Sequence, residues 1–334
     1  MRSIAIERAR VGRQEEFMKS MKYALAGLLG LASCVALAAS ASATTIGFSQ
    51  VGHESDWRTA FSKNMQDEAK AEGIDLKFSD ANQKEEDQLK AVRSFISQKV
   101  DAIIIAPVVV TGWDQVLKEA KAANIPVFLV DRDVETADKS LYVTRVSADF
   151  NLEGRLAGAW LAQALKGKGD IVELQGTVGS AAAQYRMAGF NSIEALFPLI
   201  KTVKTQSGDF TTQGGKEVME SFIKATDGLK GIKAVWAHND NMLLGAIQAM
   251  KEAGLKPGKD ILTVSVDGVP DIFRAMLAGD ANASVELRSD IGPDIYGVVK
   301  EYLAGKRDFP KWVVIPSDLH TIQDAAEVLK KKGG

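Results

Sequence analysis

The sequence predicts an α/β protein of two similar domains, each built on a parallel sheet that helices cover. Short apolar runs rich in β-branched residues alternate with longer segments in which apolar residues recur every three or four positions. This alternation is typical of parallel α/β architecture, and it runs through two successive series of strands in the same order. The length of 334 residues also fits two ordinary domains.

The first series supplies the first domain. Its predicted strands are Thr45–Gln50, Asp75–Ser79, Ala102–Pro107, Pro126–Asp131 and Leu141–Val146. Between them the apolar spacing is helical, as in Phe61, Met65 and Ala69 after the first strand. Gly73 follows that segment, and a glycine there predicts a left-handed cap that ends the helix.

The second series supplies the second domain. Its predicted strands are Asp170–Gln175, Val203–Ser207, Lys233–His238, Ile261–Asp267 and Ala283–Leu287. The remainder holds a helix from Tyr296 to Leu303, an apolar run Trp312–Ile315 and a basic terminal helix. Because no segment rich in Pro, Gly or Ser separates the two series, we expect short strand-like crossings between the domains.

Residues 1–43 are predicted to be an N-terminal extension and a signal peptide. Lys19 and Lys22 precede an apolar run of about 15 residues that is too short and alanine-rich to predict a membrane span. Ala41-Ser42-Ala43 then matches a cleavage pattern, so we expect the processed chain in an extracytoplasmic space. Acidic groups in residues 1–17 do not fit a signal peptide. The sequence therefore does not decide between Met1, Met18 and Met21 as the start.

Cys34 allows a second hypothesis for the N-terminal segment. Leu31-Ala32-Ser33-Cys34 resembles the pattern before a lipid-modified cysteine, which would anchor the chain to a membrane. The apolar residues after Cys34 and the cleavage pattern downstream favour the processed form without an anchor.

Composition excludes several classes of function. The net charge is −2, from 41 basic and 43 acidic residues, and this balance disfavours nucleic acid as a partner. One cysteine excludes a disulfide framework and a cysteine-based metal site. The three histidines show no metal-ligand spacing, and no nucleotide-binding loop or nucleophile motif occurs. We therefore predict no metal, no cofactor and no catalytic residue.

Polar side chains gather directly after the predicted strands. In open parallel sheets, ligands bind beyond the carboxyl ends of the strands, so these side chains are expected to share one cleft. The predicted ligand-binding residues are Glu54, Ser55, Asp56, Trp57, Arg58, Asp131, Arg132, Arg186, Asn239 and Asp267. Carboxylates accept from hydroxyls, guanidiniums donate in pairs, and an indole packs on C–H groups. The set predicts a neutral, polyhydroxylated ligand.

Each of these residues also has a purely structural reading. Asp131 and Arg132 fit a surface ion pair, and Trp57 fits the core under the first helix. Asn239 and Asp240 fit the cap of the helix that follows them. Because polar residues occur together at four strand ends, the hypothesis of a shared binding site is favoured over these separate structural explanations.

The stretches IGFSQVG, PVFLVDRD, VELQGTVG, AHNDNMLLGAIQAMKEAGL and VDGVPDI carry a resemblance to a known family. With them, the processed chain resembles the periplasmic sugar-binding proteins of ABC importers, of the ribose- and galactose-binding group, and most of all the galactofuranose binders. The resemblance implies the type I periplasmic binding protein fold, with two Rossmann-like domains joined by a three-crossing hinge. It places the N-terminal lobe at 44–148 plus about 287–315, and the C-terminal lobe at 149–286 plus about 316–334.

The resemblance also implies a function. The chain is expected to bind a monosaccharide, galactofuranose or a related furanose or pentose, and to deliver it as a monomer to a membrane permease. Trp57 would lie against the sugar ring and Arg58 would donate to it. Ribose binders carry two adjacent aromatic residues where this chain has Trp57-Arg58, and a polar residue near Ala106-Pro107-Val108. Both differences disfavour ribose.

Three other readings stay open on the sequence. A secreted carbohydrate-active enzyme would use Asp131 and Asp267 as its paired carboxylates. A protein that presents its sugar to a chemoreceptor would need the same binding residues. A transcriptional regulator with this core fold would carry a DNA-binding helix-turn-helix, but an apolar leader stands in its place here.

Overall fold

The structure, a computed structural model, describes residues 43–333. The predicted signal peptide and Cys34 lie outside the described residues. Thr44–Gly334 forms one compact unit. In the described part, no helix has the length and apolar character needed to cross a membrane.

The strands and helices alternate along most of the chain. The strands are β1 Thr45–Gln50, β2 Asp75–Asp80, β3 Ala102–Ile105, β4 Val127–Val130, β5 Arg145–Ala148, β6 Lys168–Gln175, β7 Leu199–Ser207, β8 Ile232–Ala237, β9 Leu262–Asp267, β10 Ala283–Glu286, β11 Trp312–Ile315 and β12 Leu319–Thr321. The helices are α1 Asp56–Ala71, α2 Glu85–Gln98, α3 Asp114–Ala122, α4 Phe150–Ala164, α5 Ala181–Glu194, α6 Thr212–Ala225, α7 Asp240–Glu252, α8 Pro270–Ala278, α9 Gly292–Leu303 and α10 Ala325–Lys331.

Two sheets organise these elements into two lobes. The sheet of the first lobe is parallel, with the order β11-β5-β4-β3-β1-β2, and α1, α2, α3 and α9 pack with it. The sheet of the second lobe has the order β12-β10-β9-β8-β6-β7, in which β10 and β12 pair antiparallel. The predicted α/β fold of two parallel-sheet domains is confirmed.

The described chain passes between the lobes three times. The first crossing, at Asp149, follows β5 and leads into α4. The second crossing, residues 287–291, leads from β10 to α9, and the third, residues 316–318, leads from β11 to β12. The resemblance implied three crossings, and the third ends in the short antiparallel strand β12, which the sequence did not predict.

Buried apolar strands hold each sheet between its helices. Ile103, Ile104 and Ile105 in β3 are fully buried, as expected for a parallel sheet with both faces covered. Helix caps lie at the ends of several strands. For example, the Ser180 hydroxyl accepts from the backbone N–H of Ala183 at the start of α5. The caps fix where each helix begins and thus which side chains face the cleft.

Helices α4 and α5 approach each other unusually closely because of two glycines. A Cβ on Gly154 would lie 2.1 Å from the carbonyl oxygen of Arg186, and a Cβ on Gly189 would lie 2.1 Å from that of Asn151. Neither contact is possible for a larger residue without separating the helices. The close packing brings the first turn of α4 against Arg186.

One predicted strand begins and ends too early. The sequence placed a strand at Leu141–Val146, whereas β5 begins at Arg145 and Lys139–Leu141 forms a short 3-10 helix. The side chain of Asp138 accepts from the backbone N–H of Ser140 and starts that turn. Leu141 is apolar because it packs in the core beside α3, so its hydrophobicity does not indicate a strand.

Candidate functional site

A cavity lies between the lobes, at the carboxyl ends of the strands. It is lined by Glu54, Ser55, Trp57, Arg58, Asp131, Arg132, Ala182, Arg186, Phe210, Asn239, Asp267 and Leu287. The structure thus brings together all the predicted site residues except Asp56. Ala182, Phe210 and Leu287 were not predicted.

An ion-pair network forms the wall that the first lobe contributes. Arg58 Nη2 lies 2.7 Å from Asp131 Oδ2, and its Nε donates to Glu54 Oε1 at 3.2 Å. Arg132 Nη2 donates to the same Glu54 oxygen at 3.4 Å. These four side chains are at most 4% exposed. The alternative that Asp131 and Arg132 form a surface ion pair is therefore wrong.

Backbone turns aim two of the carboxylates into the cleft. Asp131 follows β4 with φ of +62°, and Asp267 ends β9 with φ of +121°. Residues other than glycine rarely adopt positive φ, and such conformations are kept where the surroundings hold them. Arg132 Nη1 also donates to the carbonyl oxygen of Val108 at 3.1 Å, which holds that guanidinium in place.

Arg186 carries the network on the wall of the second lobe. Its Nε donates to Glu153 Oε2 at 2.8 Å and its Nη1 to the carbonyl oxygen of His238 at 2.6 Å. Its Nη2 lies 3.7 Å from Asp267 Oδ1. Glu153 is fully buried, and sequence reasoning missed it. The sequence feature that could have identified Glu153 is its charge on the otherwise apolar and small-residue face of α4.

Several polar atoms of the cavity residues lack hydrogen-bond partners. Within the described residues, Glu54 Oε2, Asp131 Oδ2, Arg132 Nε and Arg186 Nη2 are buried and form no hydrogen bond. Asp131 Oδ2 has the nearby charge of Arg58 but no aligned donor. Buried polar groups in proteins are nearly always satisfied, so these donors and acceptors are available to a ligand.

Two aromatic side chains complete the lining. Phe210 faces both lobes, with its ring 5.3 Å from Arg132 Cζ and 6.0 Å from Arg186 Cζ. Trp57 is 4% exposed and stacks on Phe61 at 5.3 Å. The core reading of Trp57 is therefore confirmed, although the same indole also lines the cavity.

Asn239 and Asp56 hold structural positions at the cleft. Asn239 caps α7 by accepting from the N–H of Met242 at 3.0 Å, and its amide nitrogen donates to the carbonyl oxygen of Phe210 at 3.0 Å. Asp56 lies outside the cavity. Its carboxylate accepts from Asn241 of the opposite lobe at 3.0 Å.

Burial and neighbouring charges set the protonation of these groups. Burial lowers the pKa of Arg132 to about 10, with help from the guanidinium of Arg58, so Arg132 stays charged at neutral pH. Burial also raises the pKa of Asp267 well above its usual range, although Arg186 opposes the shift. The pKa of Glu153 is raised by burial in the same way.

The charges of the cavity are matched to one another before any ligand is present. Each guanidinium lies within 4 Å of a carboxylate. Residues 43–333 contain no cluster of His, Cys, Asp and Glu suited to a metal ion. The arrangement fits a neutral ligand that both donates and accepts hydrogen bonds.

Comparison with known proteins gives the family. A family model described as a periplasmic binding protein domain matches residues 46–307. The galactofuranose-binding protein YtfQ of Escherichia coli strain K12 is 55% identical over 289 residues, which cover 86% of this chain and 91% of that protein.

Two solved structures are also similar. The binding protein of the arabinose ABC transporter from Shewanella sp. ANA-3, bound to alpha and beta-L-arabinofuranose, has a TM-score of 0.85 and 57% identity, covering 86% of this chain and 95% of that one. A protein from Mycobacterium smegmatis in complex with beta-D-fucofuranose has a TM-score of 0.84 and 44% identity, covering 87% and 95%. The chain belongs to the periplasmic binding protein family.

Proposed function

We propose that this chain binds a neutral monosaccharide in its furanose form and delivers it to the permease of an ABC importer. The observation that carries the proposal is the combination of matched charges with buried, unpartnered polar atoms in one cavity. A sugar brings no charge but many hydroxyls, and each hydroxyl both donates and accepts. A charged ligand would upset the existing ion pairs instead.

The ring form is proposed from the relatives. Arabinofuranose, galactofuranose and fucofuranose are named for proteins at 57%, 55% and 44% identity. In this chain Glu54 and Asp131 would accept from ring hydroxyls, while Arg132 and Arg186 would donate. Trp57 and Phe210 would cover the C–H faces of the sugar. The preferred furanose would be the one whose hydroxyls pair with every buried polar atom of the cavity, because an unpaired buried group costs binding free energy.

Hinge closure would complete the site. Contacts already span the cleft, since the Val110 N–H donates to the carbonyl oxygen of Gly179 at 3.0 Å and Thr177 bonds to Gln83 at 3.3 Å. The permease would recognise this closed form. The chain would act as a monomer in the periplasm, after cleavage behind Ala43 and without a lipid on Cys34.

The test is a thermal-shift screen of the purified protein against furanoses, pentoses and hexoses, followed by calorimetry. A ligand at a hundredfold excess over Kd stabilises the bound state by about 2.7 kcal/mol, a readily measured shift. We expect a furanose to bind with micromolar Kd, or about −8 kcal/mol. Arg132→Ala should abolish the shift, while Glu68→Ala on the far part of α1 should preserve it.

Two results would oppose the proposal. Absence of any shift with sugars would reject the sugar assignment, and equal losses from Arg132→Ala and Glu68→Ala would reject the site. Recovering the sugar chemically unchanged separates binding from the alternative in which Asp131 and Asp267 catalyse hydrolysis.

A further inference from the structure

Glu153 joins the candidate site to the connections between the lobes. It lies in the first turn of α4, directly after the first crossing, and its backbone N–H donates to the carbonyl oxygen of Asp149 in that crossing. One carboxylate oxygen accepts from Arg186 Nε at 2.8 Å. The other accepts from the Ser317 hydroxyl at 3.2 Å, and Ser317 lies in the third crossing. The side chain of Glu153 therefore contacts a site arginine and the third crossing, and its backbone contacts the first crossing.

Because Glu153 is buried, its hydrogen bond to Ser317 favours one position of the third crossing. Its side chain is fully buried, and burial raises its pKa, so the surroundings penalise the carboxylate unless both oxygens are paired. Any movement of Ser317 away from α4 leaves one oxygen without its donor. The two bonds of Glu153 are thus satisfied together only in one arrangement of the third crossing.

Arg186 is held from both sides in that arrangement. Glu153 and the carbonyl oxygen of His238 take its Nε and Nη1, and only Nη2 has no hydrogen bond among the described residues. Arg186 lines the cavity, where its Nη2 lies 3.7 Å from Asp267 Oδ1, while its Nε is bound to Glu153, whose other oxygen binds the third crossing. A ligand in the cavity and the position of the third crossing would therefore both affect the guanidinium of Arg186.

We propose that Glu153 is a positioning residue that couples sugar binding at Arg186 to hinge closure, through its hydrogen bond to Ser317. The inference rests on the proposed function and adds the route by which the site acts on the hinge. In the closed form the Ser317 bond stabilises the lobe arrangement that Arg186 needs. Without it, the closed population falls and the apparent Kd rises in proportion.

The test compares hydroxyl variants of two crossings. Ser317→Ala removes the bond to Glu153 but keeps the Arg186 ion pair, and Ser317→Thr restores a hydroxyl. Ser289→Ala, in the second crossing, is the matched control because no hydrogen bond of the Ser289 hydroxyl is found within residues 43–333. The readouts are calorimetric Kd for arabinofuranose and galactofuranose, and the distance between the lobes.

The lobe distance can be measured directly. Residues 44–334 form a compact unit and contain no cysteine, so spin labels can be placed at Lys118→Cys and Lys224→Cys, which are exposed helix positions in different lobes. We expect Ser317→Ala to raise Kd about five- to tenfold and to lower the short-distance population. We expect Ser317→Thr and Ser289→Ala to stay within about twofold of the parent.

The outcomes separate the two proposals. If the parent protein binds no furanose, the proposed function fails, and the ligand-free distance distributions then test whether the Ser317 bond favours the closed form. If the parent binds and closes while Ser317→Ala does the same with equal Kd, the coupling is overturned. It is also overturned if Ser289→Ala matches the effect of Ser317→Ala.

Discussion

Trp57 donates its indole N–H to the carbonyl oxygen of Leu287 across 2.6 Å. Trp57 stands at the start of α1 in the first lobe, and Leu287 opens the second crossing. The Leu287 N–H in turn donates to the carbonyl oxygen of Asp267 at 3.2 Å. The bond therefore holds a cavity wall, a crossing and the end of β9 in one arrangement.

Trp57→Phe should weaken binding more than its loss of ring area explains. The phenyl ring keeps an aromatic surface but leaves the buried Leu287 carbonyl without its donor, which costs about 1–3 kcal/mol. We expect lower unfolding free energy and a Kd raised at least tenfold, measured by urea unfolding and calorimetry.

Trp236→Phe provides the control for that substitution. Trp236 is fully buried, but its indole nitrogen has no hydrogen bond among the described residues. The Trp236→Phe variant should lose buried ring area without changing the Kd for the sugar by more than about twofold. Equal effects of both variants on Kd would show that the bond to Leu287 has no role in binding.

Asp56→Ala should weaken binding although Asp56 lies outside the cavity. The variant loses the carboxylate that accepts from Asn241 across the cleft, so the closed arrangement has one contact fewer. A Kd raised about three- to tenfold is expected by calorimetry. Asp67→Ala is the control on the same helix, because within residues 43–333 the ion-pair partner of Asp67 is the exposed Lys63. A Kd unchanged in Asp56→Ala would contradict the expectation.

Gly154→Ala should disturb both stability and binding. The added methyl would meet the carbonyl oxygen of Arg186 at 2.1 Å, which forces α4 and α5 apart and overpacks the core by about 1–3 kcal/mol. We expect a lower urea midpoint and weaker sugar binding.

Gly297→Ala is the control, because it adds the same methyl group at a helix position with space for it. Gly297 lies inside α9, and a Cβ there would meet nothing within 4 Å. Alanine should stabilise that helix by about 0.5–1 kcal/mol without changing Kd. Destabilisation by both variants alike would contradict the packing argument.

His320 should make stability fall as pH rises. Its Nδ1 lies 2.6 Å from Asp324 Oδ2 and its Nε2 lies 3.1 Å from Glu286 Oε2, while Lys332 contacts the other Glu286 oxygen. The bond to Glu286 is the main cause that raises the pKa of His320, and it lowers that of Glu286 to about 2. Because the folded state raises the histidine pKa, its stabilisation is complete below about pH 6.5 and is lost as pH rises through the raised value.

The measurement compares His320→Gln with the parent by urea unfolding between about pH 5.5 and about pH 8.5. The stability gap between them should shrink as pH rises. His53→Gln is the control, because the His53 side chain is 71% exposed. A gap that stays constant or grows with pH would rule out this role of His320.

Much of the fold and site followed from local pattern. The strand before Asp131 is a continuous apolar run, and β9 alternates apolar with small polar residues up to Asp267, so the charged residues at these strand ends were evident. Phe210 was missed because β7 is a partly exposed strand whose end no apolar run marks. Glu153 was missed because its partners depend on how closely α4 and α5 pack. The charge of Glu153 on the apolar face of α4 was visible in the sequence, but its contacts with Arg186 and Ser317 arise only from tertiary packing.

The matched charges of the cavity also bear on how fast a sugar is captured. Opposite charges held a few ångströms apart cancel at longer range, so the cleft gives an approaching neutral molecule no electrostatic steering. Stopped-flow association rates of the sugar should then change little with salt concentration. Discrimination between sugars would appear in how long each one resides in the site.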